Sequence, residues 1–427
     1  MSLRGVQINE GAIGANVAGD NREFGLVCNG VAVVDKAQLN TSIKLRRPSD
    51  AEALGITPQY DAANNVRVHR HIAEFYRRAG EGRVLHVMLV GQSVLPVAMV
   101  EYAKQLTVAS GGTISDMAFA FNPYAGYAET IVDGLNADIN ATIPALQTFA
   151  EWSDANDMPL HTILEGRGIT DTVLSLADLR DFKIEGNVLQ AQKVTLCIGQ
   201  DWRYAETQDE IGKKFADVGT LLGVVASHAW NRNPGEVATQ NLSDVARGIW
   251  LVGGLSNHKK YDEVYDALET LNDKGYVFPI RYQGTAGWYW NDGHCCTPII
   301  IDADGNINQH TIYYSHTMDM SKRMLRQVYL PEVKKPVELE EGILPQDMVD
   351  YYNALGDNGF GLLSGRGLIS GGRTQIVNLS VEETQEAKAN NRPYTELLID
   401  KILGVQFAVT PTGMINEIIG VINLRRN

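Results

Sequence analysis

The residues best placed to do chemistry in this chain are few. Ser93 follows an apolar run, residues 84–90, in the order Gly91-Gln92-Ser93-Val94-Leu95. That is close to the strand, nucleophile and helix arrangement in which a serine attacks an acyl carbon, but the elbow's second glycine is replaced by Leu95. The enzymatic reading is a cytoplasmic α/β hydrolase using Ser93; the alternative makes its hydroxyl a helix N-cap. His294-Cys295-Cys296 groups three metal-ligating types, yet vicinal cysteines do not easily reach one ion together. No second Cys/His pair stands at ligand spacing, so no metal is expected and these read as strand residues. His69 and His71 are two apart and point to different sides of a helix.

Other candidate loops also fall short. Residues 359–365 are glycine-rich but follow a helix, whereas a dinucleotide loop follows a strand and opens a helix. No Gly-Lys-Ser/Thr phosphate loop occurs, and no cofactor is expected. Asp302-Ala303-Asp304-Gly305-Asn306 lacks the glycine position and distal Glu of a calcium loop and reads as a tight hairpin turn.

Chemistry of this kind needs elements to position it, and these are clearer. Apolar runs at 24–34, 84–90, 117–121, 160–164 and 194–198 read as short strands. Between them, residues 64–79 (Val68, Ile72, Phe75 and Ala79 on one face), 94–106, 139–156 and 206–227 read as helices. The alternation sets an α/β layer with substantial parallel pairing. Further on come a short amphipathic helix at 261–271, a strand at 276–282, and a basic helix at 319–330 stopped by Pro331. On that helix Met320, Met324 and Val328 face a core, which leaves Lys322, Arg323 and Arg326 largely on the opposite surface. Asp347 caps a helix ended by Gly356, residues 367–379 read as a strand pair turned at Ser370-Gly371-Gly372, and Ser380 with Glu383 forms a capping box for a helix running toward Leu403.

Length and composition limit the function. At 427 residues the chain can bury one large or two medium cores, and 44% apolar with 21% charged residues is the balance of a soluble globular protein. A net charge of -14 argues against sequence-independent nucleic-acid binding, which runs on basic patches. No apolar stretch is long enough to span a bilayer and no signal-like start is visible, so folding in a cytoplasm with four reduced cysteines is expected.

The most specific stretch is residues 273–297. Gly275-Tyr276-Val277-Phe278 is followed by Gly284-Thr285-Ala286-Gly287-Trp288-Tyr289-Trp290-Asn291-Asp292, then Ser315, an Arg-containing helix and Leu330-Pro331. This order resembles the C-terminal half of contractile phage tail sheath proteins. Tyr204 and Asp217-Val218-Gly219-Thr220-Leu221-Leu222-Gly223 are similar to another segment of that family, and Gly14, Gly19-Asp20 and Gly25-Leu26-Val27 resemble its short branch without large outer insertions. The resemblance implies a sheath-type two-domain α/β subunit: an arm at 1–22, an α/β domain at 23–255, a C-terminal sheath core at 256–404, and a linking arm at 405–427. Mixed sheets flanked by helices are expected. It also implies a structural protein without a catalytic site. Its partners would be other copies, an inner tail tube protein, and baseplate and tail terminator proteins, with no nucleic acid and no membrane insertion. The location would be a virion tail assembled in the host cytoplasm, or an extracellular particle on release. A secretion-system or extracellular injection sheath is the nearest alternative. Lys322, Arg323 and Arg326 are the residues the resemblance would place against the tube.

The two chain ends support polymerisation independently. Val6 and Ile8 alternate with polar neighbours in a glycine-rich arm too poor in apolar residues to build a core. Val405, Phe407 and Val409 alternate, Thr410-Pro411-Thr412-Gly413 turns the chain, and residues 414–424 read as a second strand carrying Ile418, Val421 and Ile422. An apolar strand of this kind is a template for another chain, although both ends pairing within their own subunit is equally compatible with the residues. The resemblance favours strands swapped between subunits, with residues 10–20 and 403–406 flexing at Gly14, Gly19 and Gly404.

Overall fold

The computed structural model describes residues 22–184, 186–340 and 342–416. Strands form where the chain is apolar without alternation: β1 (Glu23–Gly30), β3 (Leu85–Gly91) and β4 (Ile114–Ala120) are buried along almost their whole length. A parallel sheet covered on both faces demands such runs. With β2 (Ser42–Leu45), β5 (His161–Glu165) and β6 (Val194–Cys197) they make a six-stranded sheet in the order β6-β5-β4-β1-β3-β2. All neighbours run parallel except β2, which is antiparallel to β3. Helices α1 (Val68–Ala79) and α4 (Val218–Ser227) pack on each other against the sheet, as do α2 (Pro96–Ala109) and α3 (Ala137–Ala155). The expected α/β class with a mixed, helix-flanked sheet is what the chain forms.

The Asp217–Gly223 segment shows its purpose in the α1–α4 contact. A Cβ on Gly219 would lie 2.5 Å from the His71 Cα, and one on Gly223 2.6 Å from the Phe75 carbonyl oxygen, so both glycines let the helix backbones touch. Asp217 sits at the N-cap position of α4 and, with Asp201, faces Arg70 at 3.3 and 3.4 Å. Arg70 also lies over the Tyr204 ring at 4.3 Å. Burial raises the Asp217 carboxyl to about 6 against the pull of Arg70.

Beyond the sheet come α5 (Ile312–Tyr329), α6 (Gln346–Ser364), β7 (Gly371–Ile376), α7 (Val381–Ala389) and β8 (Val405–Thr410). One large core joins Phe24 to Ile312 and includes Tyr261, Tyr276, Trp288 and Trp290. Two small ones follow, around Met320, Met324 and Phe360 and around Leu344, Tyr352 and Ile376. Residues 256–312 thus contribute to the same core as the α/β sheet.

Several elements differ from the sequence reading, each for a local reason. The helix expected at 64–79 is α1 and starts at Val68, where the Asp61 carboxylate accepts the His69 and Arg70 amides at 3.0 and 2.9 Å; a separate helix, Pro58–Asn64, precedes it where a loop was expected. The long helix at 206–227 is three short pieces, Trp202–Glu206, Gly212–Lys214 and α4. A helical turn is given up where Gln200 and Glu165 claim backbone groups of residues 213–216. Of residues 276–282 only Pro279–Ile280 pair with Tyr289–Trp290; Val277 instead extends β6, donating to the Leu196 carbonyl at 3.1 Å. Helix α5 begins at Ile312, not Asp319, so Ser315 and His316 lie on it. Gly356 does not end α6: it packs against Thr374 and Tyr329, and the helix runs on through residues 359–361. The pair expected at 367–379 is the single strand β7, whose partner is β8. The helix after the confirmed Ser380–Glu383 capping box stops at Ala389. Gly404 has a packing reason of its own: a Cβ there would meet the Tyr394 carbonyl oxygen at 2.4 Å.

The close α1–α4 crossing yields a prediction. Gly219→Leu is expected to cost about 3 kcal/mol, the upper end of ordinary overpacking, in urea unfolding. Gly361→Ala, at an open position inside α6, should instead raise stability by about 1 kcal/mol.

Candidate functional site

Strand β8 pairs with β7 in register from Gly371 opposite Thr410 to Ile376 opposite Val405. One face of this ribbon, carrying Thr374, Ile376, Val405, Phe407 and Val409, turns to α5 and α6; Phe407 lies 5.8 Å from Tyr329 and 6.3 Å from Phe360. A Cβ on Gly372 would sit 2.3 Å from the Phe360 ring, so the ribbon lies directly on that side chain. The other face carries Arg373, Gln375, Gln406 and Ala408, all exposed.

The two edges of the ribbon are not equivalent. On the β7 edge the Thr374 amide donates to the Asp357 carboxylate at 2.7 Å and the Ile376 amide to the Asn353 carbonyl oxygen at 2.8 Å. Those two residues are four apart on α6 and so face the strand together. Helix side chains therefore occupy the hydrogen bonds another strand would use. Among the described residues β8 pairs with β7 alone, and no strand of that set lies along its second edge. Sequence reading placed Val405, Phe407 and Val409 correctly on this strand but missed Asn353 and Asp357; their spacing on a helix before a strand was the available signal. Val6, Ile8, Ile418, Val421 and Ile422 lie outside the described residues.

Helix α5 joins this ribbon to the sheet through buried polar contacts. His316 Nε2 donates to Asp116 at 2.5 Å, with both side chains fully buried, and Lys193 Nζ meets Asp319 at 2.5 Å. Burial would raise the Asp116 carboxyl, but the adjacent His316 holds it far below its ordinary range. Lys193 also donates to Ser315 Oγ at 3.0 Å, which is 3.1 Å from His161 Nδ1; His161 Nε2 lies 2.9 Å from Thr195 Oγ1, which donates to the His294 carbonyl. With Lys193 supplying Ser315 and Thr195 donating onward, the chain is satisfied by a neutral His161 that donates at Nε2 and accepts at Nδ1. Burial, with His316 and Lys193 nearby, pushes it well below its ordinary value.

The three cations proposed for the tube are engaged within the subunit. Arg323, expected on the outer surface, turns inward and donates to the Gly112, Ile114 and Pro159 carbonyls at 3.1, 3.0 and 2.7 Å. Lys322 pairs with Asp154 and Arg326 with Asp157, both at the C-terminal end of α3 and both half-exposed. The apolar stripe of α5 was read correctly; the acidic residues that approach its other face come from distant sequence.

The remaining candidates are apart from one another. Ser93 is exposed in the loop before α2, whose N-cap position is Leu95 and whose first residue is Pro96, so Ser93 does not cap it. Among the described residues no histidine or carboxylate is hydrogen-bonded to it. His294 lies between Arg180, at 2.8 Å, and Asn272, at 3.0 Å, and burial pushes the Cys295 thiol up to about 12. Among the described residues no group of three His, Cys, Asp or Glu is placed to hold a metal ion. Residues 302–306 do form a hairpin turn, with the Asp302 amide donating to the Asn306 carbonyl at 3.0 Å. No described helix is long and apolar enough to cross a membrane.

The comparisons bear on the whole chain. Residues 3–294 match the family described as DUF2586, N-terminal domain. No curated protein matches. Among solved structures, the helical sheath of the anti-feeding prophage in its contracted state is similar at 12% identity, 99% coverage of both chains and a TM-score of 0.57. A chain of that particle's sixfold-symmetrised baseplate is similar at 12% identity, 100% coverage of both chains and TM-score 0.56. The contracted sheath complex PVC, from an extracellular contractile injection system, is similar at 12% identity, covering 99% of this chain and 98% of the other, with TM-score 0.56. The fold is that of contractile sheath subunits over its full length.

Two predictions follow from this geometry. Asp357→Ala should destabilise the C-terminal unit by about 2 kcal/mol, the worth of a hydrogen bond to a charged group, and speed amide exchange at Thr374. The neutral His161 supplies a pH dependence. Its folded pKa is below its unfolded one, so its contribution to stability is present above the unfolded value near 6.5 and is lost as pH falls below it. His161→Asn should therefore flatten the loss of stability between pH 7 and pH 5 by up to about 1.4 kcal/mol per pH unit, measured by urea unfolding across that range.

Proposed function

We propose that this chain, which belongs to the DUF2586 family, is the sheath subunit of a contractile injection system. Copies polymerise helically around an inner tube, and a change of packing between them shortens the cylinder and drives the tube through a target envelope. The observation that carries this reading is the ribbon with one closed and one open edge, in a chain that shares its fold with sheath subunits along its full length. An open strand edge is a template for one further strand. We assign that strand to a neighbouring copy, from the arm holding Val6 and Ile8 or the segment holding Ile418, Val421 and Ile422, added beside Val405, Phe407 and Val409. A single heterologous contact repeated with a rotation that does not close gives a helix.

The partners in this reading are other copies, the inner tube, the baseplate and the tail terminator. The location is the tail of a particle assembled in a host cytoplasm and extracellular on release. We assign the subunit no catalytic role; the work of firing comes from two packings of the same polymer that differ in free energy. The polar clamp on α5 makes sheet and ribbon move as one body, leaving the change to be absorbed in the arm near residues 10–20.

Electron microscopy of the purified chain beside a version lacking residues 1–20 tests the proposal. The full chain is expected to form hollow striated cylinders and the shortened one dispersed particles. Uniform small particles from both would overturn it.

A further inference from the structure

The turn at residues 302–306 belongs to a small hairpin, 298–308, held by a bridge between Ile301 and Ile307. Its side chains are unusual for a protruding loop: Ile299 is 59% and Ile301 65% exposed, and Ile300 and Ile307 are also exposed. Four isoleucines on one exposed hairpin form the kind of patch that marks an interaction surface. The tip is acidic. Asp302 is held by the turn, accepting the Asp304 and Asn306 amides, while Asp304 has no ion pair among the described residues.

Elsewhere the same chain carries the opposite shape. Between the end of α5 with its following turn and strand β8 lies an open groove of about 1200 Å³, its floor including Leu330, Val333, Leu398 and Phe407. Lys334 and Lys401 stand on its border. Both adopt the left-handed backbone conformation, with φ of 68° and 58°, which side-chain-bearing residues rarely take. Neither has an ion pair among the described residues, unlike Lys335, which meets Glu332 at 2.8 Å.

We propose that the 298–308 hairpin of one copy seats in this groove of the next, its isoleucines on the apolar floor and its acidic tip against Lys334 and Lys401. A second copy is the favoured occupant, because both halves of the contact are present on one chain, alike in apolar character and opposite in charge. Two different patches meeting make a heterologous contact, the kind that propagates instead of closing a pair. This rests on the self-assembly proposed above but not on strand addition: the contact is made by side chains and does not require a strand to pair with β8.

Charge exchange tests the contact in the full-length protein. Asp304→Lys and the pair Lys334→Glu with Lys401→Glu are each expected to raise the concentration needed for polymerisation about tenfold, since like charges then meet across the contact. All three changes in one chain should restore it. Thermal unfolding of each variant should stay near wild type, because these side chains are exposed. Oxidation of an Ile301→Cys, Val333→Cys chain should give ladders of cross-linked copies. Normal polymerisation by the single-side variants with no ladder would overturn the proposal. So would a Val6→Cys, Val333→Cys ladder appearing in its place, which would give the groove to a neighbour's arm, or loss of inner-tube capture alone, which would give it to the tube. If the unaltered chain forms no polymer, the sheath reading fails instead, which is a separate result.

Discussion

Everything distal to residue 312 depends on how a charged helix is held in the edge of the sheet. Asp116 and His316 are fully buried, and Lys193 and Asp319 nearly so. Taking such charges out of water costs several kcal/mol each, which only close, fully bonded partners offset. The partners come from β4, from the residue preceding β6 and from α5, so the pairs form only when the helix has one position and one rotation. Arg323, reaching three backbone carbonyls, fixes the next turn in the same way. A helix so fixed connects the outer ribbon to the sheet. Breaking one pair by removing a single partner would leave a buried charge, typically a loss of about 3–5 kcal/mol.

That rigidity gives the ribbon its direction. Asn353 and Asp357 close one edge, and among the described residues no strand pairs along the other, so a further strand has one edge on which to add. A subunit with two open edges would aggregate without order; one with none would remain a monomer. The α1–α4 contact serves the same end from inside. Gly219 and Gly223 bring two helix backbones together, and Arg70 ties the three carboxylates of Glu74, Asp201 and Asp217 at their side. Packing thus accounts for the Asp217–Gly223 segment.

The sequence made the sheet legible because strands buried on both faces carry mostly apolar runs, and the middles of β1, β3, β4, β5 and β6 do, with polar residues such as Asp116, His161 and Glu165 at or near their ends. It also showed Val405, Phe407 and Val409 as alternating, since only one face of β8 is covered. What it hid depended on distant partners. Tyr313 to His316 look like loop because their polar side chains find Asp116, His161 and Lys193 only in the folded chain. Gly356 reads as a helix end until Thr374 is seen to need its space. Arg323 looks solvated because carbonyl acceptors at 112, 114 and 159 carry no sequence signature. Local helical breaks at 65 and 207–217 were missed for the same reason: side chains from elsewhere take over the backbone groups.

The most direct test of the account is a cryo-electron-microscopy map of the polymer, read at the two edges of the ribbon. The account predicts a strand from another copy along β8, hydrogen-bonded in register beside Val405 to Thr410, and none along β7, where Asn353 and Asp357 stand. A polymer in which β8 remains unpaired, or in which the added strand lies on β7, would contradict it.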